Sequence, residues 1–186
     1  VYKRQKLGGL KLPMPNVLGQ FQLENISTAI ATLRTLDLGI KDKYIQNGIK
    51  KISSLARLQE IKSGKLKQLV KNNKLIIDGS HNEDGARALN DYLQILDCNK
   101  HVIIGMMANK EHEKYISYFK GISSITTIDL KTQPNSISGK DLKEKFKSVP
   151  NVQYQPDVKQ AIKSIDLKEG DLILITGSLY LSLIHI

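Results

Sequence analysis

Asp78, His81 and Asn82 stand close together in the run Lys74-Leu75-Ile76-Ile77-Asp78-Gly79-Ser80-His81-Asn82. A carboxylate, an imidazole and an amide so close in sequence can accept, donate and move protons at a bound ligand. Leu75 to Ile77 form an uninterrupted apolar run, which suits a strand buried on both faces. Gly79 permits a tight turn after the carboxylate. A helical pattern then starts at Glu83, with Ala86, Leu89, Tyr92, Leu93 and Leu96 as its apolar positions. Ligands of open α/β sheets bind beyond the carboxyl ends of strands, where these three polar residues would sit. A plainer reading fits the same residues. Asp-Gly-Ser is a common turn, Ser80 or Asn82 can cap the following helix, and His81 can be a solvated loop histidine. At Asn82 capping and ligand contact are compatible.

The elements that would hold these residues follow from periodicity. Gly8-Gly9 and Pro13/Pro15 mark an irregular segment over 6–18. A helix is expected over 22–36, with Leu23, Ile26, Ala29, Ile30 and Leu33 on one stripe, and a second over 43–52, with Tyr44, Ile45, Ile49 and Ile52. Gly39 separates them, and Ser53-Ser54-Leu55 reads as a hinge. The segments 57–61 and 66–70 flank Ser63-Gly64 and read as a hairpin. Strands over 75–78, 102–105, 125–130, 152–154 and 172–176 alternate with helices near 83–96, 111–119, 139–147 and 157–165. Such alternation implies βαβ units: an α/β fold with a mostly parallel sheet and flanking helices.

Composition narrows the function classes. One cysteine, Cys98, excludes an internal disulfide framework and any multi-cysteine metal site, and it reads as structural. No apolar run approaches the ~18 residues of a membrane span, so no membrane partner is expected, and a cytoplasmic location is. The net charge is +10, carried mainly by lysine, while aromatic residues are only 5%. Nucleic-acid binders cluster basic residues and interleave stacking aromatics. Here the lysines are scattered, as in Lys62, Lys65, Lys67, Lys71, Lys74 and then Lys140, Lys143, Lys145, Lys147. A solvated basic surface is expected, with no nucleic-acid partner and a monomeric chain. His81, His101 and His112 lack metal-ligand spacing. No Ser/His/Asp nucleophile arrangement has supporting context, and no Gly-x-x-x-x-Gly-Lys-Ser/Thr phosphate loop occurs.

Asp78-Gly-Ser-His-Asn resembles the Asp-Gly-Ala-His-Asn signature of the folylpolyglutamate synthase/dihydrofolate synthase family, in the Mur ligase superfamily. Four further segments resemble that family in order. Gly19-Gln20-Phe21-Gln22-Leu23-Glu24-Asn25 is similar to its Gly-x-x-Gln-x-x-Asn helix start, and Ala56-Arg57-Leu58-Gln59 to its Pro-Gly-Arg-Leu/Phe-Gln segment. Ile104-Gly105-Met106 through Asn109-Lys110-Glu111 is similar to its Gly-Met-x-x-Asp-Lys-Asp segment, and Thr176-Gly177-Ser178-Leu179-Tyr180 to its terminal Gly-Ser strand end. Ala56 stands where the family has glycine, and Asn109 and Glu111 replace its flanking aspartates.

The resemblance implies a Rossmann-like Mur ligase C-terminal domain over 56–181, preceded over 1–53 by the last helices of an ATP-binding domain. The segments 1–5 and 182–186 read as artefacts of gene-fragment ends. His112 is assigned no role. The implied chemistry is ADP-forming addition of L-glutamate to (tetrahydro)folate through an acyl phosphate, with dihydropteroate left open as a second acceptor. The implied cofactors are ATP and Mg2+, the metal ligands lying mostly upstream of this chain. By the same resemblance Asn25 contacts adenine, Arg57 the ATP phosphates and Asp78 the ribose. His81 serves the phosphate and incoming amino acid, and Ser178 the glutamate subsite. Without a phosphate loop, the chain alone is expected neither to hydrolyse ATP nor to ligate glutamate. Two alternatives remain: another Mur-type amino-acid ligase, or a non-catalytic basic binding domain.

Overall fold

A computed structural model describes residues 11–146, 149 and 151–184 of the chain, with side chains described as far as Leu181. The expectations on 1–5, Gly8-Gly9, Lys147, His185 and Ile186 lie outside the described residues. The chain divides into two compact units, Val1–Ser54 and Leu55–Ile186.

In the first unit, α1 (Gln20–Thr35) and α2 (Asp42–Lys50) share a small apolar cluster. Ile30, Ile45 and Ile49 are buried in it, with Leu12, Ile26, Ile40 and Ile52 packed around them. Of the stripe expected on the first helix only Ile30 is fully buried, together with the polar Gln22.

The second unit is a six-stranded sheet in the order β1-β2-β6-β3-β4-β5. Its strands are β1 (Gln59–Glu60), β2 (Lys74–Ile77), β3 (Lys100–Ile104), β4 (Ser124–Ile128), β5 (Val152–Gln155) and β6 (Leu172–Thr176). Only β1 runs antiparallel, against β2; all other pairings are parallel. The helices are α3 (Lys65–Val70), α4 (Glu83–Gln94), α5 (His112–Ser117), α6 (Gly139–Glu144), α7 (Val158–Ser164) and α8 (Leu179–Ile184). The last of these overlaps the segment 182–186 that the sequence marked as an artefact.

β6 lies at the centre, and every one of its residues is 0% exposed. Burying each Leu or Ile there contributes roughly 1.5–3 kcal/mol relative to exposure. Alternation along the strands splits the core into two layers. Leu75, Ile77, Ile103, Ile128, Ile173 and Ile175 face Val70, Val158, Ala161 and Ile162 of the α3/α7 layer.

The hairpin expected over 57–61 and 66–70 is not formed. Residues 65–70 are helical because Leu66, Leu69 and Val70 recur at helical spacing and pack on this core, while Lys65, Lys67 and Gln68 are unbranched helix formers. The partner of the short β1 is β2, with Gln59 opposite Ile77. Arg57 therefore sits in a turn before β1 and not on a strand.

At the amino-terminal edge of the sheet, His101 and Asp171 make a buried polar pair at 3.3 Å. Burial pushes the Asp171 carboxyl up, but the Lys168 N–H, the Asn99 amide and the His101 ring outweigh it and hold the group below the ordinary carboxylate value. This pair pins three strand starts and lies at the opposite edge from the loops that follow β2 and β6.

Candidate functional site

The parallel strands send their carboxyl ends to one edge, and β6 places its end between those of β2 and β3. The segment after Ile77 and the segment after Thr176 are stitched together there. Gly177 N–H donates to the Ser80 carbonyl at 3.1 Å, and Gly105 N–H to the Thr176 carbonyl at 3.2 Å. Gly177 has φ +99, and a Cβ on it would lie 2.6 Å from the Gly105 carbonyl oxygen. Only glycine fits that crossing.

Asp78 is 2% exposed. Its Oδ1 accepts from Ser80 N–H and its Oδ2 from Leu58 N–H, each at 2.8 Å. Burial raises the carboxyl above its ordinary range, against the pull of those two N–H groups and the nearby Arg57 charge. The carboxylate ties the turn over 56–59 to the end of β2. A second tie is the bond from Gly79 N–H to the Ala56 carbonyl, at 2.7 Å.

In that turn both Ala56 (φ +54) and Leu58 (φ +47) are left-handed, and both are buried. A left-handed L-residue costs roughly 1–2 kcal/mol, which accounts for a glycine in the family pattern at position 56. Arg57 stands exposed between the two.

His81 is half-buried, and its Nδ1 lies 3.0 Å from the Gly79 carbonyl. A carbonyl can only accept, so Nδ1 carries the proton, and in the neutral ring Nε2 is the acceptor. Asn82 caps α4, its Oδ1 accepting from Gly85 N–H at 3.0 Å. Ser178 is 2% exposed, and its Oγ accepts from Tyr180 N–H at 3.3 Å, so it also shapes the turn into α8. Asn25 lies in the other unit, on α1, with its Nδ2 3.4 Å from Gln22 Oε1. Gln22 Nε2 is buried without a hydrogen-bond partner among the described residues.

Two contributors escaped the sequence reading. Tyr115, fully buried on α5, brings its hydroxyl to 2.8 Å from Thr176 Oγ1 and 3.0 Å from Ser80 Oγ. It also donates to the Ser80 carbonyl at 3.2 Å. Burial raises its phenol well above the ordinary range, so the group stays neutral. Ser80 stands where the family pattern has alanine, and this departure was the one available signal. His112, which the sequence left without a role, is buried with Nε2 2.9 Å from the Met107 carbonyl and shapes the loop after β3.

Tyr115→Phe is expected to cost about 1–3 kcal/mol of stability, because Thr176 and Ser80 lose their best partner while buried. Ser80→Ala is expected to cost about 1 kcal/mol or less, since Tyr115 keeps Thr176 and the Ser80 carbonyl. Urea melts of both single variants and the double variant measure this. The double variant should fall short of the sum.

At the end of β2 an exposed guanidinium, Arg57, and a half-buried imidazole, His81, can serve an anionic group. In the first unit, taken by itself, the buried Gln22 amide donor lacks a partner among the described residues. Among the described residues no three His, Cys, Asp or Glu side chains group as metal ligands. Among them, too, no helix is long and apolar enough to cross a membrane.

A family model described as "Mur ligase, glutamate ligase domain" matches residues 64–179. The dihydrofolate synthase/folylpolyglutamate synthase of Bacillus subtilis is 24% identical over 173 residues, covering 89% of this chain and 38% of that protein. The folylpolyglutamate synthase structure from Thermotoga maritima superposes with a TM-score of 0.72 at 25% identity, covering 93% of this chain and 38% of that one. The bifunctional folylpolyglutamate synthase/dihydrofolate synthase from Yersinia pestis, complexed with AMPPNP and a Mn ion, gives a TM-score of 0.76 at 25% identity. There the coverage is 98% of this chain and 41% of that one.

Proposed function

Since this chain belongs to the Mur ligase family through its glutamate ligase domain, we propose that it supplies the carboxyl-terminal part of an ADP-forming ligase that adds L-glutamate to a folate. The chain spans about two-fifths of the length of the relatives it matches, and the reaction belongs to the whole ligase. The observation that carries this reading is the stitching of three segments at one sheet edge. The turn bearing Arg57, the loop bearing His81 and the turn bearing Ser178 are all tied to the Asp78–Ser80 backbone.

In the proposed reaction a folate γ-carboxylate oxygen attacks the terminal phosphorus of ATP and ADP leaves. The glutamate amine then attacks the acyl carbon, loses its proton and expels phosphate. ATP supplies the leaving group, and a divalent metal would ride with its phosphates. This chain's part is positioning and charge. Arg57 meets phosphoryl oxygens with a two-pronged guanidinium. His81 presents Nε2 to the transferring phosphoryl group or to the amine, with its ring orientation set by the Gly79 carbonyl. Ser178 borders the amino-acid subsite. Asn25 reads the adenine edge, and Asp78 holds the Arg57 turn and lies on the ribose side. Such a site must close, because water hydrolyses acyl phosphates.

The test is product analysis with a full-length ligase carrying this domain. With ATP, a reduced folate and L-glutamate, ADP and a folate longer by one glutamate should form in equal amounts. If ADP release instead requires a cell-wall nucleotide precursor, the protein is another Mur-type ligase and the folate assignment fails.

A further inference from the structure

The Arg57 turn is held in an unfavourable backbone shape, with left-handed residues on both sides of the arginine. Strain of this kind persists only where the surroundings over-determine it, and it clusters at functional sites. Two of its restraints come from the β2 end: Asp78 Oδ2 on Leu58 N–H, and Gly79 N–H on the Ala56 carbonyl. The third is internal. The Gln59 side chain folds back, and its Oε1 accepts from Ala56 N–H at 2.9 Å.

Gln59 is half-buried at the start of β1, where its backbone pairs with Ile77. Its side chain closes a ring around Arg57 and Leu58, since the bond spans positions 56 to 59; of the two, Leu58 is buried and Arg57 is exposed.

We infer that Gln59 is a positioning residue for Arg57: its side-chain oxygen locks Ala56 into the left-handed shape that presents the guanidinium at the strand edge. The inference rests on the reading of Arg57 as an ATP-phosphate ligand. An acceptor oxygen is the property that counts at position 59. A glutamate keeps it, and a methionine of similar length does not.

The test has two parts. In the 186-residue chain, amide exchange by NMR should show Ala56 N–H deprotected by ~3- to 10-fold in Gln59→Met and protected as in wild type in Gln59→Glu. In a full-length ligase carrying this domain, Gln59→Met should raise KM for ATP by a similar ~3- to 10-fold factor with kcat little changed, while the melting temperature falls slightly because the buried Ala56 N–H loses its acceptor. Gln59→Glu should restore KM. Arg57→Ala runs beside them. If Arg57→Ala raises KM for ATP and Gln59→Met does not, the positioning role is overturned while the nucleotide reading stands. If Arg57→Ala leaves KM unchanged, the nucleotide reading itself fails. Loss of Ala56 protection equally in Gln59→Met and Gln59→Glu would also overturn the inference, because the acceptor would then be irrelevant.

Discussion

His81→Ala in a full-length ligase carrying this domain is expected to lower turnover by at least ~10²-fold, as for a group that acts on a developing charge. The ring stands at the carboxyl end of a strand, with Nδ1 held by the Gly79 carbonyl. That bond selects the tautomer and aims Nε2 away from the backbone. Alanine removes both the aimed nitrogen and the only imidazole on this loop. The fold should survive. His81 is half-buried and contributes no side chain to the apolar core, whose strand-end anchors are Asp78, Ser80 and Gly177. Steady-state kinetics read the first expectation and a thermal melt reads the second. Unchanged turnover would return His81 to an ordinary loop histidine. A collapsed melting curve would give it a structural part that its contacts do not predict.

Arg57→Ala should weaken the apparent affinity for ATP by roughly 10- to 150-fold, the equivalent of a charge-assisted contact of about 1.5–3 kcal/mol. Arg57→Lys should recover only part of the loss, because an ammonium cannot make the two-pronged contact of a guanidinium. Neither change should disturb stability, since the side chain is exposed while the residues on either side, Ala56 and Leu58, carry the burial. The ATP dependence of ligation for wild type, Arg57→Ala and Arg57→Lys is the measurement. Three overlapping curves would remove Arg57 from the nucleotide site. The left-handed Ala56 would then be the first place to look, because a different shape at that residue re-aims the arginine.

Much of the fold was legible because it is written in local period. The unbroken apolar run of β2 announced a doubly buried strand, the segment 172–176 was read as a strand, and both lie inside the sheet. The alternation with helical stretches announced the parallel sheet. Ser80 and Asn82 were both candidate helix caps by residue type and position, and Asn82 is the cap. The misreading at 65–70 has a local cause: a six-residue apolar-and-lysine stretch beside Ser63-Gly64 satisfies a strand pattern about as well as a helical one. Packing of Leu66, Leu69 and Val70 onto the apolar core formed with the sheet and α7 decided it.

What the sequence by itself determined was the class of fold, the strand end on which Asp78, His81 and Asn82 sit, and, by resemblance, the family. Each depends on residues adjacent in the chain, where spacing alone carries the signal. Only the tertiary structure decided how those residues are employed. Asp78 takes its N–H donors from Ser80 close by and from Leu58 far back along the chain. Ser80 finds its hydroxyl partners on α5 and at the end of β6. Arg57 is presented by a turn whose strain is held from β2 and from Gln59. A hydrogen bond between segments distant in sequence leaves no periodic trace, because its partners are chosen by the order in which strands assemble. β6, the last strand in the chain, enters the sheet between β2 and β3, and that insertion brings Ser178 beside the loop of His81.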